Sequence, residues 1–441
     1  MTRSTTIHDL RTLIRSFHPL IVVETVEEER ARELLVAASR DLEMPLFEWT
    51  VTRGLYRHGE ARPIHRTSEP ASLLQHLGGL TVEGIFWIHD LSAFLGETGV
   101  ARELRNLVAR FTGTRSAVLL VGDGISLPPE LERDAAYLRL ELPSDVELRK
   151  VIGSVVESLQ ARHRVTVELS TSDLERLLGA VRGMTANQAR QAVAYAALGS
   201  GHLTADAIHT VHERKARLLE EGGALEYFPA QDSPFELGGF DRLKQWLDRA
   251  QVGFRPEARA LGLPAPRGIL LMGVQGCGKS LAAKVIARRW ELPLLKLDAG
   301  LLYDKYLGES EKNFRRAVEV ASAMAPTVLW IDEIEKGFGP TGSSEGDGGA
   351  SRRLFGALLT WMQEKQADVF LVATANDVFG LPPELLRKGR FDEIFFVDLP
   401  TLVERRAIFC IHLERLKQSP DDLDLDQLVE ATEGFSGAEI E

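Results

Sequence analysis

A chain of 441 residues, with 64 acidic and 52 basic side chains and a formal net charge of -12, exceeds what one hydrophobic core usually organises, so two or more domains are expected. The negative balance repels a polyphosphate backbone and disfavours nucleic acid as a partner, while two cysteines far apart in sequence, Cys277 and Cys410, exclude a disulfide framework and fit a reducing compartment. Charges interleave the apolar residues of the N-terminus and no run approaches the roughly 18 apolar residues of a membrane span, so a cytosolic protein with no membrane partner is expected.

In chain order, PLIVVET (Pro19 to Thr25) reads as a buried strand running into VEEERARE, a stretch with four glutamates. LEMPLFEW (Leu42 to Trp49), IFWIHDL (Ile85 to Leu91), LPPEL from Leu127, ELPSDVELR (Glu141 to Arg149) and RGMTANQA (Arg182 to Ala189) follow, the last opening a helix to about Gly199. HERKARLLEEGGALEYFPAQDSP (His212 to Pro234) reads as a charged helix stopped by glycines and then a proline-bearing linker.

RGILLMG (Arg267 to Gly273) has the length and branching of a buried parallel strand, and SLAAKVIARRW (Ser280 to Trp290) has helical periodicity. Between them lies GVQGCGKS, so the pattern G-x-x-x-x-G-K-[ST] stands in the strand, loop, helix context that gives it a mechanism. Gly273, Gly276 and Gly278 permit the dihedrals and close approach that let successive N–H groups point at phosphate oxygens. Lys279 then reaches the β and γ phosphates of ATP and Ser280 holds Mg²⁺; Val274, Gln275, Cys277 and Leu281 complete the candidate contact loop. Nothing nearby in sequence activates the Cys277 thiolate, so it reads as a small residue whose backbone matters.

TVLWIDEIEK (Thr327 to Lys336) is an apolar strand ending in two carboxylates, which at a strand's C-terminal end face the crevice where α/β sheets bind ligands. Asp332 suits the water shell of Mg²⁺, and Glu333 suits a base that polarises an attacking water. GFGPTGSSEGDGGA (Gly337 to Ala350) is too rich in glycine and serine to pack and is expected to be mobile. VFLVATANDV (Val369 to Val378) is the next strand, ending in Asn376, a neutral side chain able to orient water or the γ phosphate. Arg387 and Arg390 follow in LPPELLRKGRFDEIFF, and guanidinium groups are wanted where charge develops on a transferring phosphoryl group.

Several of these stretches occur twice in the same order: LEMPLFEW with WELPLLKL, IFWIHDL with VLWIDEI, LPPEL at Leu127 and Leu381, ELPSDVELR with DLPTLVERR, RGMTANQA with EGFSGAEI. The first copy lacks the reactive groups. Glutamates replace the glycines and lysine, His89 stands where Asp332 does, Asp90 replaces Glu333, and only Arg133 lies near the place of the first arginine. That copy is expected to be inert toward ATP and kept for shape, recruitment or regulation, with His89 and Asp90 a residual strand end.

With FELGG, the phosphate loop, KYLGESE (Lys305 to Glu311), the DE strand, Asn376, the paired arginines and GFSGAEIE, residues 235 to 441 resemble an AAA-family ATPase module. The resemblance implies a homo-oligomeric ring, usually of six subunits, with ATP at each interface and Arg387 and Arg390 acting on the neighbour's nucleotide. It implies that Leu237, Gly238, His412 and Ala438 line the adenine and ribose pocket; Glu236, where an aspartate is commoner, is a departure that leaves the backbone contact intact. It also implies that Tyr306 and Leu307 form a pore loop gripping an extended polypeptide, against the alternative of an ordinary partly buried aromatic, and that Gly337 to Ala350 is a second pore loop.

The fold expected is α/β, two tandem P-loop NTPase (AAA) modules, each a parallel-sheet domain followed by a small helical lid: a degenerate domain over 1–143, its lid over 144–215, a linker over 216–234, an active domain over 235–400 and a lid over 401–441 expected to continue beyond Glu441. LEYFPAQD, ELGGFDRLKQWL and LLTWMQEK, with the inert first copy, resemble the AAA ATPases encoded as a hypothetical reading frame in some plastid genomes and found in cyanobacteria, which implies bacterial cytosol or plastid stroma. The function implied is Mg-dependent ATP hydrolysis driving remodelling or threading of a protein substrate; a nucleotide-switched binding scaffold is the alternative.

Overall fold

The computed structural model describes residues 2–60, 62–64, 66–163, 165–221, 225–229, 236–254, 258, 261–298, 309–338, 348–365, 367–377, 380–420 and 423–441. The chain divides into two compact units, residues 1–144 and 145–441.

The first unit is built on a six-stranded sheet of β1 (Leu20–Glu24), β2 (Leu46–Thr50), β3 (Gly54–Arg57), β4 (Ile85–Ile88), β5 (Ala117–Gly122) and β6 (Ala135–Arg139), in the order β3-β2-β4-β5-β1-β6. All neighbours are parallel except β2 and β3. Parallel strands covered on both faces need apolar residues at every position, and the strands divide them by alternation. Leu20, Val22, Phe86 and Ile88 pack on helices Pro70–Gly79 and Thr98–Phe111, while Ile21, Val23, Ile85 and Trp87 pack on helices Thr2–Arg15 and Glu28–Leu42.

The second unit begins with four helices, Asp145–His163, Thr171–Val181, Ala186–Ser200 and Ala207–Glu221, around their own apolar centre, with a short parallel pair of β7 (Thr166–Val167) and β8 (His202–Leu203). It continues with a second six-stranded sheet of β9 (Leu225–Phe228), β10 (Gly268–Gly273), β11 (Leu294–Leu297), β12 (Thr327–Ile331), β13 (Val369–Ala375) and β14 (Glu393–Val397), in the order β14-β10-β13-β12-β11-β9. Ile269 and Leu271 of β10 face helices Asp241–Ala250 and Lys279–Arg289, and Leu270 and Met272 face helices Glu309–Ala323 and Gly348–Glu364. Helices Leu402–Arg415, Leu425–Ala431 and Gly437–Ile440 end the chain.

The two sheets are the same topology twice. Without β3 and β9, the orders β2-β4-β5-β1-β6 and β11-β12-β13-β10-β14 correspond strand for strand. Local devices repeat too. Glu43 and Glu291 both take left-handed backbone after a helix, at φ 55° and 54°, and Asp90 and Glu333 do so after β4 and β12, at φ 54° and 48°. The Ile85 and Val328 amides each donate to the carbonyl of the proline just before the neighbouring strand, Pro45 before β2 and Pro293 before β11, at 2.9 Å. Thr185 with Gln188, and Ser436 with Glu439, close the same reciprocal helix cap.

The described part of residues 216–234, expected as a linker, includes the end of a helix and a strand. Helix Ala207–Glu221 runs through the expected boundary, and 225–228 pairs antiparallel with β11 as β9. The reason is a short alternation: Leu225 and Tyr227 are buried in the core of the second sheet, and Ala216 and Leu219 of the preceding helix pack against that core. Gly183, at φ 78°, lies so close to Met324 that a Cβ there would sit 2.6 Å from its Cγ.

Candidate nucleotide site

The site forms at the C-terminal ends of the parallel strands of the second sheet, where such sheets bind ligands. Its loop leaves β10 at Gly273, whose φ of 139° carries the backbone against β14; a Cβ there would lie 2.0 Å from the Val397 carbonyl oxygen. Gly276, at φ 78°, faces the last helix, and a Cβ there would meet Ser436 Oγ at 2.9 Å. The Ala438 amide donates to the Gly276 carbonyl at 3.0 Å, so the end of the chain is fastened to the loop.

Lys279 opens the following helix and is buried, its Nζ donating to the carbonyls of Gly273 at 2.9 Å and Val274 at 2.6 Å. Burial pushes its pKa down, against the pull of Cys277, Glu335, Asp332 and Glu333. Burial also raises the Cys277 thiol, which opposes thiolate chemistry there.

Ser280 Oγ donates to Asp332 Oδ1 at 3.1 Å, and Thr374 Oγ1 donates to the same oxygen. Thr374 Oγ1 also accepts the Glu333 amide at 3.0 Å, so one hydroxyl ties the two acids at the end of β12 to β13. Asn376 Nδ2 donates to Glu333 Oε1 at 2.9 Å, Lys336 Nζ pairs with Glu333 Oε2 at 2.5 Å, and Glu335 Oε1 accepts the Asn376 amide at 2.9 Å.

A cavity of about 1200 Å³ joins these groups; Gln275, Gly276, Cys277, Gly278, Lys279, Ser280, Leu281, Asp332, Glu333, Thr374 and Asn376 all line it. Leu237, Gly238, His412 and Ala438 line its other walls. Gly238 approaches Ile408 closely enough that a Cβ would lie 2.8 Å from Ile408 Cγ1, and Lys244 Nζ holds the Leu237 carbonyl at 2.7 Å. Gly273 and Val274 are not wall residues; their carbonyls hold Lys279.

Arg387 and Arg390 are not in this wall either. Arg387 is exposed and Arg390 donates to the Leu359 carbonyl at 2.9 Å. Tyr306 and Leu307 lie outside the described residues, as does most of the stretch expected as a second pore loop, whose described ends are the helices Ile334–Phe338 and Gly348–Glu364.

Sequence reasoning missed Thr374, Glu335, Lys336 and Ser436. Thr374, near the end of β13, is two positions before Asn376, which follows the strand, a spacing present in ATAN. Lys336 is a local partner, three residues from Glu333, whereas Glu335 depends on β12 lying beside β13 and Ser436 on the last helix meeting the loop.

The residues fit ATP with Mg²⁺. Ser280 and Asp332 offer hard oxygen donors within 3.1 Å of each other, the donor type that Mg²⁺ takes, and the buried Lys279 amine stands beside a glycine loop at a helix N-terminus, which suits phosphate.

The matching crevice of the first unit is built differently. Only three residues, Thr25 to Glu27, separate β1 from its helix; the Glu27 amide donates to Thr25 Oγ1 at 3.1 Å, its carboxylate pairs with Arg30, and Arg30 donates to the Glu141 carbonyl at 2.7 Å. A cavity of about 330 Å³ remains, with Glu28, Asp90 and Asp123 among its walls. His89 turns away from it: its ring stacks on Trp87 with centroids 3.9 Å apart, and its Nε2 lies 3.8 Å from Glu48.

Among the described residues no helix is long and apolar enough to cross a membrane. Residues 269–399 match the family described as ATPase family associated with various cellular activities (AAA). Residues 6–140 match the N-terminal domain of SpoVK-like AAA ATPases, and 146–222 match their second domain. The chain is 34% identical over 440 residues to the AAA domain-containing protein ycf46 of Guillardia theta, covering 99% of this chain and 85% of that protein, and 35% identical over 438 residues to its counterpart in Pyropia yezoensis, covering 98% and 87%. The cell division cycle protein 48 homolog of Archaeoglobus fulgidus is 36% identical over 211 residues, 47% of this chain and 28% of that protein. A P-loop against paired acids on an all-parallel strand core, with relatives matching along nearly the whole chain, means that this protein belongs to the AAA ATPase family, in the group of the ycf46 proteins.

Proposed function

We propose that this chain hydrolyses ATP with Mg²⁺ as a ring-forming ATPase, remodelling or threading protein substrates, with the first unit serving recruitment or regulation. The observation that carries this reading is the convergence of Lys279, Ser280, Asp332, Glu333 and Asn376 on one cavity. Lys279 and the loop amides bind the phosphates, and Ser280 and Asp332 hold the cation. When bound, Mg²⁺ neutralises charge developing across the β and γ phosphates. Glu333 takes the proton of the attacking water, and Asn376, already bonded to Glu333 Oε1, orients that carboxylate and the water. Exposure of Arg387 outside the cavity suits delivery of a guanidinium to a neighbouring copy, a contribution of ~10³ to 10⁵ in rate where it occurs. Threading rests on Tyr306 and Leu307, which lie outside the described residues.

The test is the particle mass of Glu333→Gln protein at micromolar concentration with ATP and Mg²⁺, then with ADP. A ring of about six subunits in ATP supports the reading, and a Tyr306→Ala variant that keeps ATPase but loses remodelling of a protein substrate supports threading. A monomer under both conditions overturns the ring.

A further inference from the structure

Arg267 stands immediately before β10, the strand whose other end becomes the phosphate loop, and its amide, its carbonyl and its Nη1 are all engaged. Its amide donates to Asp392 Oδ2 at 2.5 Å, with the Gly268 amide on the same oxygen at 3.0 Å. Its carbonyl accepts from the half-buried Lys365 Nζ at 2.5 Å and from the Leu371 amide at 3.0 Å. Its guanidinium donates through Nη1 to the Gly389 carbonyl at 2.9 Å, and Gly389, at φ 95°, lies between the two arginines. The Asp392 amide returns a bond to the Gly268 carbonyl at 2.8 Å, and Arg390 is held to Leu359 of helix Gly348–Glu364. The arginine loop is thus fastened at the root of the strand that carries the phosphate loop at its tip.

We propose that Arg267 and Asp392 are positioning residues that hold Arg387 and Arg390 in the geometry a neighbouring copy's active site requires. The proposal rests on the reading that these arginines act between copies. Neither residue lines the nucleotide cavity of its own chain, so their effect is exerted on the loop and not on the bound phosphates. A strand hydrogen-bonded to β13 and β14 is stiff, and it links what happens at one chain's phosphate loop to what it presents to the next.

The test uses the full chain with Arg267→Ala. Arg267 is exposed, and the change removes the bond to Gly389 while leaving the backbone bonds to Asp392 and Lys365 in place. ATP affinity is expected to be unchanged and turnover to fall roughly tenfold or more at unchanged KM, the scale of a misplaced reacting group. Mixing Arg267→Ala with Glu333→Gln subunits is expected to restore hydrolysis, because the second subunit supplies well-placed arginines to the intact base of the first. Arg387→Ala is run in parallel. If Arg387→Ala hydrolyses ATP normally, the trans-arginine reading falls and the proposal with it. If Arg387→Ala is inactive and rescued by mixing, but Arg267→Ala is fully active or is inactive without rescue, the positioning role alone is overturned.

Discussion

Asn376 holds Glu333 by a 2.9 Å hydrogen bond from Nδ2 to Oε1, across the junction of two neighbouring strands. Left-handed backbone at Glu333 turns the carboxylate toward β13, and the Thr374 hydroxyl fixes its amide. Glu333→Gln is expected to bind ATP and hydrolyse it ~10² to 10⁴-fold more slowly, the usual contribution of a general base. Asn376→Ala should keep ATP binding and lose a smaller factor, since Lys336 still pairs with the freed carboxylate. Single-turnover hydrolysis measures both; near-normal turnover by Glu333→Gln would assign the base elsewhere.

Lys279→Ala removes the buried amine held by the Gly273 and Val274 carbonyls. Loss of ATP affinity by at least about tenfold is expected from losing a charged contact to phosphate, measured by titration with a fluorescent ATP analogue. Unaltered affinity would refute the phosphate-loop assignment.

Gly276→Ala places a Cβ 2.9 Å from Ser436 Oγ at a φ of 78°, where an L side chain is already strained. The terminal helix Gly437–Ile440 must then shift, breaking the Ala438 to Gly276 bond. Proteolysis near residue 436 is expected to accelerate together with weaker nucleotide binding. An unchanged cleavage pattern would show that the loop and the chain end are independent.

In the first unit, burial of Glu48 opposes ionisation, yet His89, His58 and Tyr56 with Arg32 nearby hold its pKa down at about 2, from 4.5. A depressed carboxylate pKa stabilises the fold above its unfolded value and is lost as pH falls through the folded one. Unfolding free energy is therefore expected to drop by about 3 kcal/mol between roughly pH 5 and pH 2 on this account. Glu48→Gln should flatten that part of the profile, and an equally steep acid limb in the variant would exclude Glu48 as its source.

Lys215 is buried over the Tyr227 ring, 4.8 Å from its centroid, and among the described residues its Nζ has no hydrogen-bond partner. Burial, with Arg182 nearby, pushes its pKa down to about 7. The unfolded chain then binds more protons than the folded one between about pH 7 and pH 10, so stability rises with pH across that window. Lys215→Met keeps the volume and removes the unpaired amine, and is expected to raise stability by about 1 to 3 kcal/mol at neutral pH in denaturant titration. A destabilised variant would mean that the amine makes a favourable bond.

What the sequence determined by itself is local chemistry whose spacing is short. The glycines and lysine of GVQGCGKS are neighbours along the chain, the acids of WIDE end a run too apolar to be exposed, and the paired occurrences of LEMPL and WELPL signal a duplicated sheet that both units now display strand for strand. LEYF was not legible as a strand, because four residues after glycines have no partner until β11 lies alongside them. The bond from Ser280 to Asp332, the hydroxyl of Thr374 between two acids and the grip of Arg267 on Gly389 span 52, 42 and 122 positions. No periodicity encodes such pairs; they exist only because parallel strands bring their C-terminal ends together at one end of the sheet, and the residues just before their roots together at the other.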